Sequence, residues 1–154
     1  MKKLLALSLV LFYSLYGFSQ SESEKRMPRN FLYAEILGSS YFYSFNYERT
    51  VFNKTSLTIT IRAGLGFAPT TFISWYTFTS HFIFGRKKHF LEAASGITCI
   101  QSGDLAIAVP IMFSWRYHGK KGMFMRIGLC VMPIFHKEIE GVLGWPGFSI
   151  GKGF

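Results

Sequence analysis

The chain offers few side chains equipped for chemistry. His136, Glu138 and Glu140 stand together in the stretch "PIFHKEIEGVLGWP", and Ser149 follows shortly after. A base, an acid and a hydroxyl are the ingredients of nucleophilic catalysis, and a Ser–His–Glu hydrolase can be drawn from them. A working triad is a geometry held by several elements, so nearness along one loop is poor support for one. Of the other histidines, His89 and His118 fall among basic turn residues and read as polar turn positions, while His81 lies in an aromatic stretch. Neither a Gly-rich phosphate loop nor an H-E-x-x-H pair is present. Cys99 and Cys130 lack metal-ligand spacing and are too few for a disulfide framework. No catalytic residue, metal site or cofactor is therefore assigned. The residues that invite explanation are six isolated ions: Glu35, Glu48, Glu92, Arg62, Arg116 and Arg126. Each sits inside a stretch that is otherwise apolar, small or hydroxylic. Such ions can act together only if separate elements bring them to one place.

Those elements read as strands. In residues 57–67, "LTITIRAGLGF", the residues Leu57, Ile59, Ile61, Ala63, Leu65 and Phe67 alternate with Thr58, Thr60, Arg62, Gly64 and Gly66. One face is wholly apolar, and the other is small or polar with a single Arg. This is the period of two expected of a strand with different surroundings on its two faces. Residues 41–49 repeat it with Glu48 opposite Tyr41, Tyr43, Phe45 and Tyr47. Residues 105–117 place Arg116 opposite an apolar row, and residues 123–131 do the same for Arg126. Residues 31–38 and 90–98 carry Glu35 and Glu92 on the face opposite their aliphatic rows. Residues 72–84 are aromatic on both faces, and residues 147–154 alternate Phe148, Ile150, Lys152 and Phe154 with Gly and Ser. Short turn signals separate these eight candidates, which favours a meander of hairpins.

The expected fold class is all-β, an eight-stranded antiparallel up-and-down transmembrane β-barrel. Strands of about 9–11 residues suffice to cross a bilayer when tilted. A barrel of about eight strands has room inside only for side chains. The three Glu and three Arg would then form an ion-pair network filling the interior, since a charge facing lipid costs about 2–4 kcal/mol at the midplane. A soluble sandwich or lipocalin-like barrel is the competing arrangement, but it must find a second core for rows such as Tyr43, Phe45 and Tyr47. Aromatic residues make up 18% of the chain and charged residues 16%, so more apolar surface is present than a small soluble core hides.

Lys2 and Lys3, the apolar run of residues 4–15, and the small Gly17 and Ser19 form a secretory signal over residues 1–19. Residues 20–30 read as a polar periplasmic lead-in and residues 31–154 as the barrel. Without Lys2 and Lys3, 15 of the 17 Lys and Arg face 8 Asp and Glu, a net +7. Export argues against nucleic acid as the partner of this charge. Turns that share a side with the N-terminus carry Arg49, Lys54, Arg86, Lys87, Lys88, Lys120 and Lys121, a basic periplasmic rim suited to phospholipid headgroups. The opposite turns carry Asp104, Lys137, Glu138 and Glu140. The longest connection is expected at residues 133–146, on the outside, where a recognition surface would lie.

The chain ends on an aromatic after an alternating strand: Phe148, Ile150 and Phe154, with Gly151 between. Together with the signal peptide and the eight strands, this ending resembles small outer-membrane β-barrel proteins of the Bacteroidota type. Lys152 departs from the aromatic usual at its position. The resemblance covers residues 30–154 and implies that the barrel-assembly machinery reads the last strand during biogenesis. It further implies a monomer among outer-membrane lipids at the cell outer membrane. The role expected is structural or one of surface interaction; the alternatives are a barrel enzyme modifying lipid A or phospholipid, and a small porin-like pore.

Overall fold

The computed structural model describes residues 27–154 apart from positions 41, 55, 69–72, 103 and 136–139. Residues 1–19, expected to be a secretory signal, most of the expected lead-in of residues 20–30, and His136, Lys137 and Glu138 therefore lie outside the described residues. So do the side chains of Arg86, Asp104 and Glu140.

Among the described residues nine antiparallel strands follow one another: β1 (Asn30–Leu37), β2 (Tyr43–Asn53), β3 (Leu57–Ala68), β4 (Ile73–Arg86), β5 (His89–Ser102), β6 (Asp104–Ala108), β7 (Ile111–His118), β8 (Met123–Phe135) and β9 (Glu140–Gly153). Eight of them close a ring in the order β1-β2-β3-β4-β5-β7-β8-β9, and β9 pairs back onto β1 from Phe31↔Gly153 to Leu37↔Gly147. Closure leaves no open edge. The start of β1 and the residue after β9 meet where the ring closes, Asn30 and Phe154 exchanging backbone hydrogen bonds of 3.1 and 2.8 Å. No described helix is long and apolar enough to cross a membrane.

Side-chain period decides which way each residue faces. Along β3 every even position from Thr58 to Ala68 is buried, and the odd positions are half-buried or exposed. The strands β2, β7 and β8 alternate in the same way. The face carrying Phe45, Leu65, Leu91, Phe113 and Leu129 points outward, each 58% exposed or more. Polar and small residues line the middle of the inside, with Phe31, Phe124, Met112 and Met132 buried towards its two ends.

Three features depart from expectation. The stretch read as one strand over residues 105–117 is broken at Val109–Pro110 into β6 and β7. Pro110 has no N–H to give the ladder, yet the register is unchanged across the gap, Thr98↔Ala108 and Ser95↔Ile111 against β5. The two pieces thus share one place between β5 and β8. Second, the connection expected over residues 133–146 is mostly strand: β8 and β9 continue pairing out to Phe135↔Glu140. Pro133 and Pro146, the bounds of the expected connection, both sit within these strands. Third, the "GSS" turn after β1 does not stay at the surface. Residues Gly38–Ser40 form a single 3-10 turn, and all three are buried in the mouth of the ring. Leu37 and Gly38 reach positive φ, 61° and 78°, to make this inward bend.

Candidate functional site

Every strand of the closed ring sends one polar group to the middle of the interior. These are Glu35 from β1, Glu48 from β2, Arg62 from β3, His81 from β4, Glu92 from β5, Arg116 from β7, Arg126 from β8 and Ser149 from β9, each no more than 3% exposed. The six ions form a chain of alternating sign: Arg62–Glu35–Arg126–Glu92–Arg116–Glu48. Arg62 Nη2 donates to Glu35 Oε2. Arg126 lies 3.6 Å from the same oxygen and 2.7 Å from Glu92 Oε1. Arg116 Nε is 3.0 Å from Glu92 Oε2, at an angle too bent for a hydrogen bond. Its two terminal nitrogens grip Glu48 in the bidentate fork, at 2.9 and 2.7 Å.

Alternation is what makes this burial tolerable. A lone charge in a dry interior is prohibitively costly, while an ion with an opposite charge on each side and hydrogen bonds to its remaining atoms is not. The supporting groups follow that logic. Asn46 Oδ1 accepts from Arg62 Nε and Nη2 at 2.9 and 2.6 Å, and Ser149 Oγ accepts from Arg126 at 3.2 and 3.0 Å. Aromatic faces cover the cations: Arg116 lies 4.7 Å from the Phe124 ring centre and 5.3 Å from Phe31, and Arg126 lies 5.0 Å from Tyr33.

Both ends of the network are stoppered. Towards the end where β1 begins and β9 ends, Phe31, Phe124 and His118 pack edge-to-face and stacked at 5.3–5.8 Å. Towards the other end lie Ala94, Ala108, Met112, Cys130 and Met132, packed with Trp145. Beside them the inward 3-10 turn is pinned by Trp145 Nε1 donating to Gly38 O at 2.7 Å and by Thr98 Oγ1 donating to Ser39 O at 3.3 Å. A cavity of about 10 Å³ bordered by Glu35, Ser114 and Ser149 is at the lower limit for a single water and too small for a ligand.

His81 is the member that sequence reasoning missed. Its Nε2 is 2.7 Å from Thr79 Oγ1 and its Nδ1 is 2.5 Å from Glu92 Oε1. The connectivity of hydroxyl, imidazole and carboxylate matches a nucleophilic triad. All three side chains are sealed inside a filled interior, however, so no substrate carbonyl can approach the hydroxyl. The available signal was the row Trp75, Thr77, Thr79, His81, Ile83 set against Tyr76, Phe78, Phe82 and Phe84, which marks the inner face of β4. Ser149, the hydroxyl of the loop triad imagined from sequence, faces a guanidinium, which cannot take its proton. Cys99 is half-buried on the outer phase of β5, and Cys130 points inside β8; both are free. Among the described residues no three His, Cys, Asp or Glu side chains gather as metal ligands.

The remaining sequence-marked residues lie away from the network. The β2–β3, β4–β5 and β7–β8 turns stand together at the end of the ring where β1 begins and β9 ends, with Arg49, Lys54, Lys87, Lys88, Lys120 and Lys121 exposed. In β9, Phe148, Ile150 and Phe154 face outward, and Gly151 approaches the Tyr33 backbone so closely that a Cβ there would meet Leu32 O at 2.4 Å.

Comparison with protein families, with characterised proteins and with solved structures finds no match.

Proposed function

We propose that this chain is an integral outer-membrane protein: an eight-stranded transmembrane β-barrel with a plugged polar interior, monomeric, exported by its N-terminal signal. Its role is structural or one of surface interaction, without catalysis. The observation that carries the reading is an inverted distribution of polarity. The interior holds the six ions, and the exterior presents rows of large apolar side chains across the strands. Ile150, Ala34, Phe45, Leu65 and Tyr76 are successive cross-strand partners on that exterior, running across five strands. A protein dissolved in water has no reason to hide six ions while exposing Phe45 and Phe113 by about two-thirds. A bilayer supplies the reason, because lipid tails satisfy the outer face and closure satisfies every backbone group.

The filled interior favours a plugged barrel over a pore, and the sealed Thr79–His81–Glu92 arrangement favours a structural role over hydrolysis. The basic end, where β1 begins and β9 ends, suits the inner-leaflet side, with the β8–β9 hairpin reaching to the other. The deciding experiment is membrane fractionation joined to gel mobility of unboiled and boiled samples. The expected result is recovery with the outer membrane and a folded band that shifts on boiling. Recovery in the soluble fraction without detergent would overturn the proposal.

A further inference from the structure

The outer surface of the ring is not uniformly convex. Across β4, β5, β7 and β8 it carries a groove of about 460 Å³, walled by Phe84, Leu91, Trp115, Phe113 and Leu129. Ala93 is the small outward side chain among them and leaves the space that its large neighbours enclose. One step towards the basic end, His89 and Tyr117 are paired across β5 and β7. His89 stacks on Trp115 at 5.5 Å, and Trp115 on Tyr117 at 6.2 Å, so the mouth of the groove is a ladder of amphipathic rings. Such rings favour the headgroup level of a bilayer.

Cations stand directly beyond that ladder. Lys88 O accepts from the His118 backbone N–H at 2.8 Å, which ties the β4–β5 turn to the end of β7 and so to the turn bearing Lys120 and Lys121. Lys88, Lys120 and Lys121 are exposed, and residues 84–91 and 117–127 contain no acid on the outer face. From Lys88 to Leu91 the strand spans about 10 Å at roughly 3.3 Å per residue. An apolar trough, an aromatic rim and a cationic mouth thus follow one another along a single line.

We infer that this face binds one anionic glycerophospholipid, its phosphate held by Lys88, Lys120 and Lys121 and one acyl chain lying in the groove floored by Ala93. The inference rests on the membrane reading above. The occupant is anionic because the mouth bears cations without a compensating acid, and it is an acyl lipid because the trough is open and apolar on its outward side. The glycerophospholipid source rests on the inner-leaflet position proposed above for the basic end.

The test uses the full mature chain refolded in neutral detergent, with equimolar phosphatidylglycerol and phosphatidylcholine, read by native mass spectrometry. Retention of phosphatidylglycerol is expected to exceed that of phosphatidylcholine by about tenfold. Replacing Lys88, Lys120 and Lys121 together by Gln should equalise the two, and Ala93→Phe, which fills the trough at an outward position, should reduce retention of the long-chain lipid by about fivefold. Heat-modifiable mobility is recorded for each sample. A heat-modifiable native protein that retains both lipids equally, an Ala93→Phe protein that retains as much as the native, or, in a second mixture of phosphatidylglycerol with lipid A, a preference for lipid A overturns the site alone. A refolded chain that needs no detergent and shows no heat-modifiable band overturns the membrane reading, and the site with it.

Discussion

Arg116 shows most plainly what an interior ion does here. It is the last cation of the alternating chain, shared by Glu48 and Glu92 and roofed by two phenyl rings. Its removal strands Glu48, which it grips through both terminal nitrogens, while Glu92 keeps Arg126 and His81. Arg116→Met should therefore cost about 3–5 kcal/mol, the penalty for an uncompensated buried charge. Adding Glu48→Gln should restore much of that loss, because the stranded charge is gone, with a coupling of about 0.5–3 kcal/mol. Urea titration of protein refolded into vesicles, followed by tryptophan fluorescence, measures both. A single-variant loss below about 1 kcal/mol would show that Glu48 has other means of satisfaction.

At the scale of elements, the ring is shaped by positions where strands approach too closely for a side chain. Gly96 of β5 faces Thr79 of β4, and a Cβ there would lie 2.1 Å from Phe78 O and 2.6 Å from Thr79 Cα. Neither neighbour is a side-chain tip that can swing aside. Gly96→Ala should thus destabilise by about 1–3 kcal/mol through forced backbone movement. Ser95→Ala, one residue away at an exposed position, should stay within about 0.5 kcal/mol. The comparison of the two urea midpoints checks the claim, and equal midpoints would refute it. Close approach at this point also keeps Thr79, His81 and Glu92 within hydrogen-bond reach, so the element geometry and the interior network depend on each other.

For the whole molecule the decisive property is the solvent that the outer face requires. Leu129 is 64% exposed in the middle of β8. If lipid tails surround it, Leu129→Arg should destabilise the vesicle-embedded protein by about 2–4 kcal/mol. If water surrounds it, the same change should cost about 0.5 kcal/mol or less. Unfolding of native and variant protein from vesicles separates the two outcomes without reference to any activity.

The period of two determined, from the residues alone, which side of each strand is which. It put Glu35, Glu48, Glu92, Arg62, Arg116 and Arg126 on faces opposite the apolar rows, because alternation in a strand is a local consequence of backbone geometry. It was least informative where both faces are aromatic, and so His81 stayed hidden in β4. What only the tertiary structure decided is who meets whom. The pairing of Arg116 with Glu48 joins residues far apart in sequence and two non-adjacent strands, β7 and β2, across the lumen. No local pattern encodes the stagger of a closed ring, which sets the height at which each inward side chain arrives. The inward 3-10 turn at Gly38–Ser40 and the continuation of β8 and β9 past Pro133 and Pro146 have the same origin. Turn residues and prolines mark where a chain can leave a ladder, and the neighbouring strands decide whether it does.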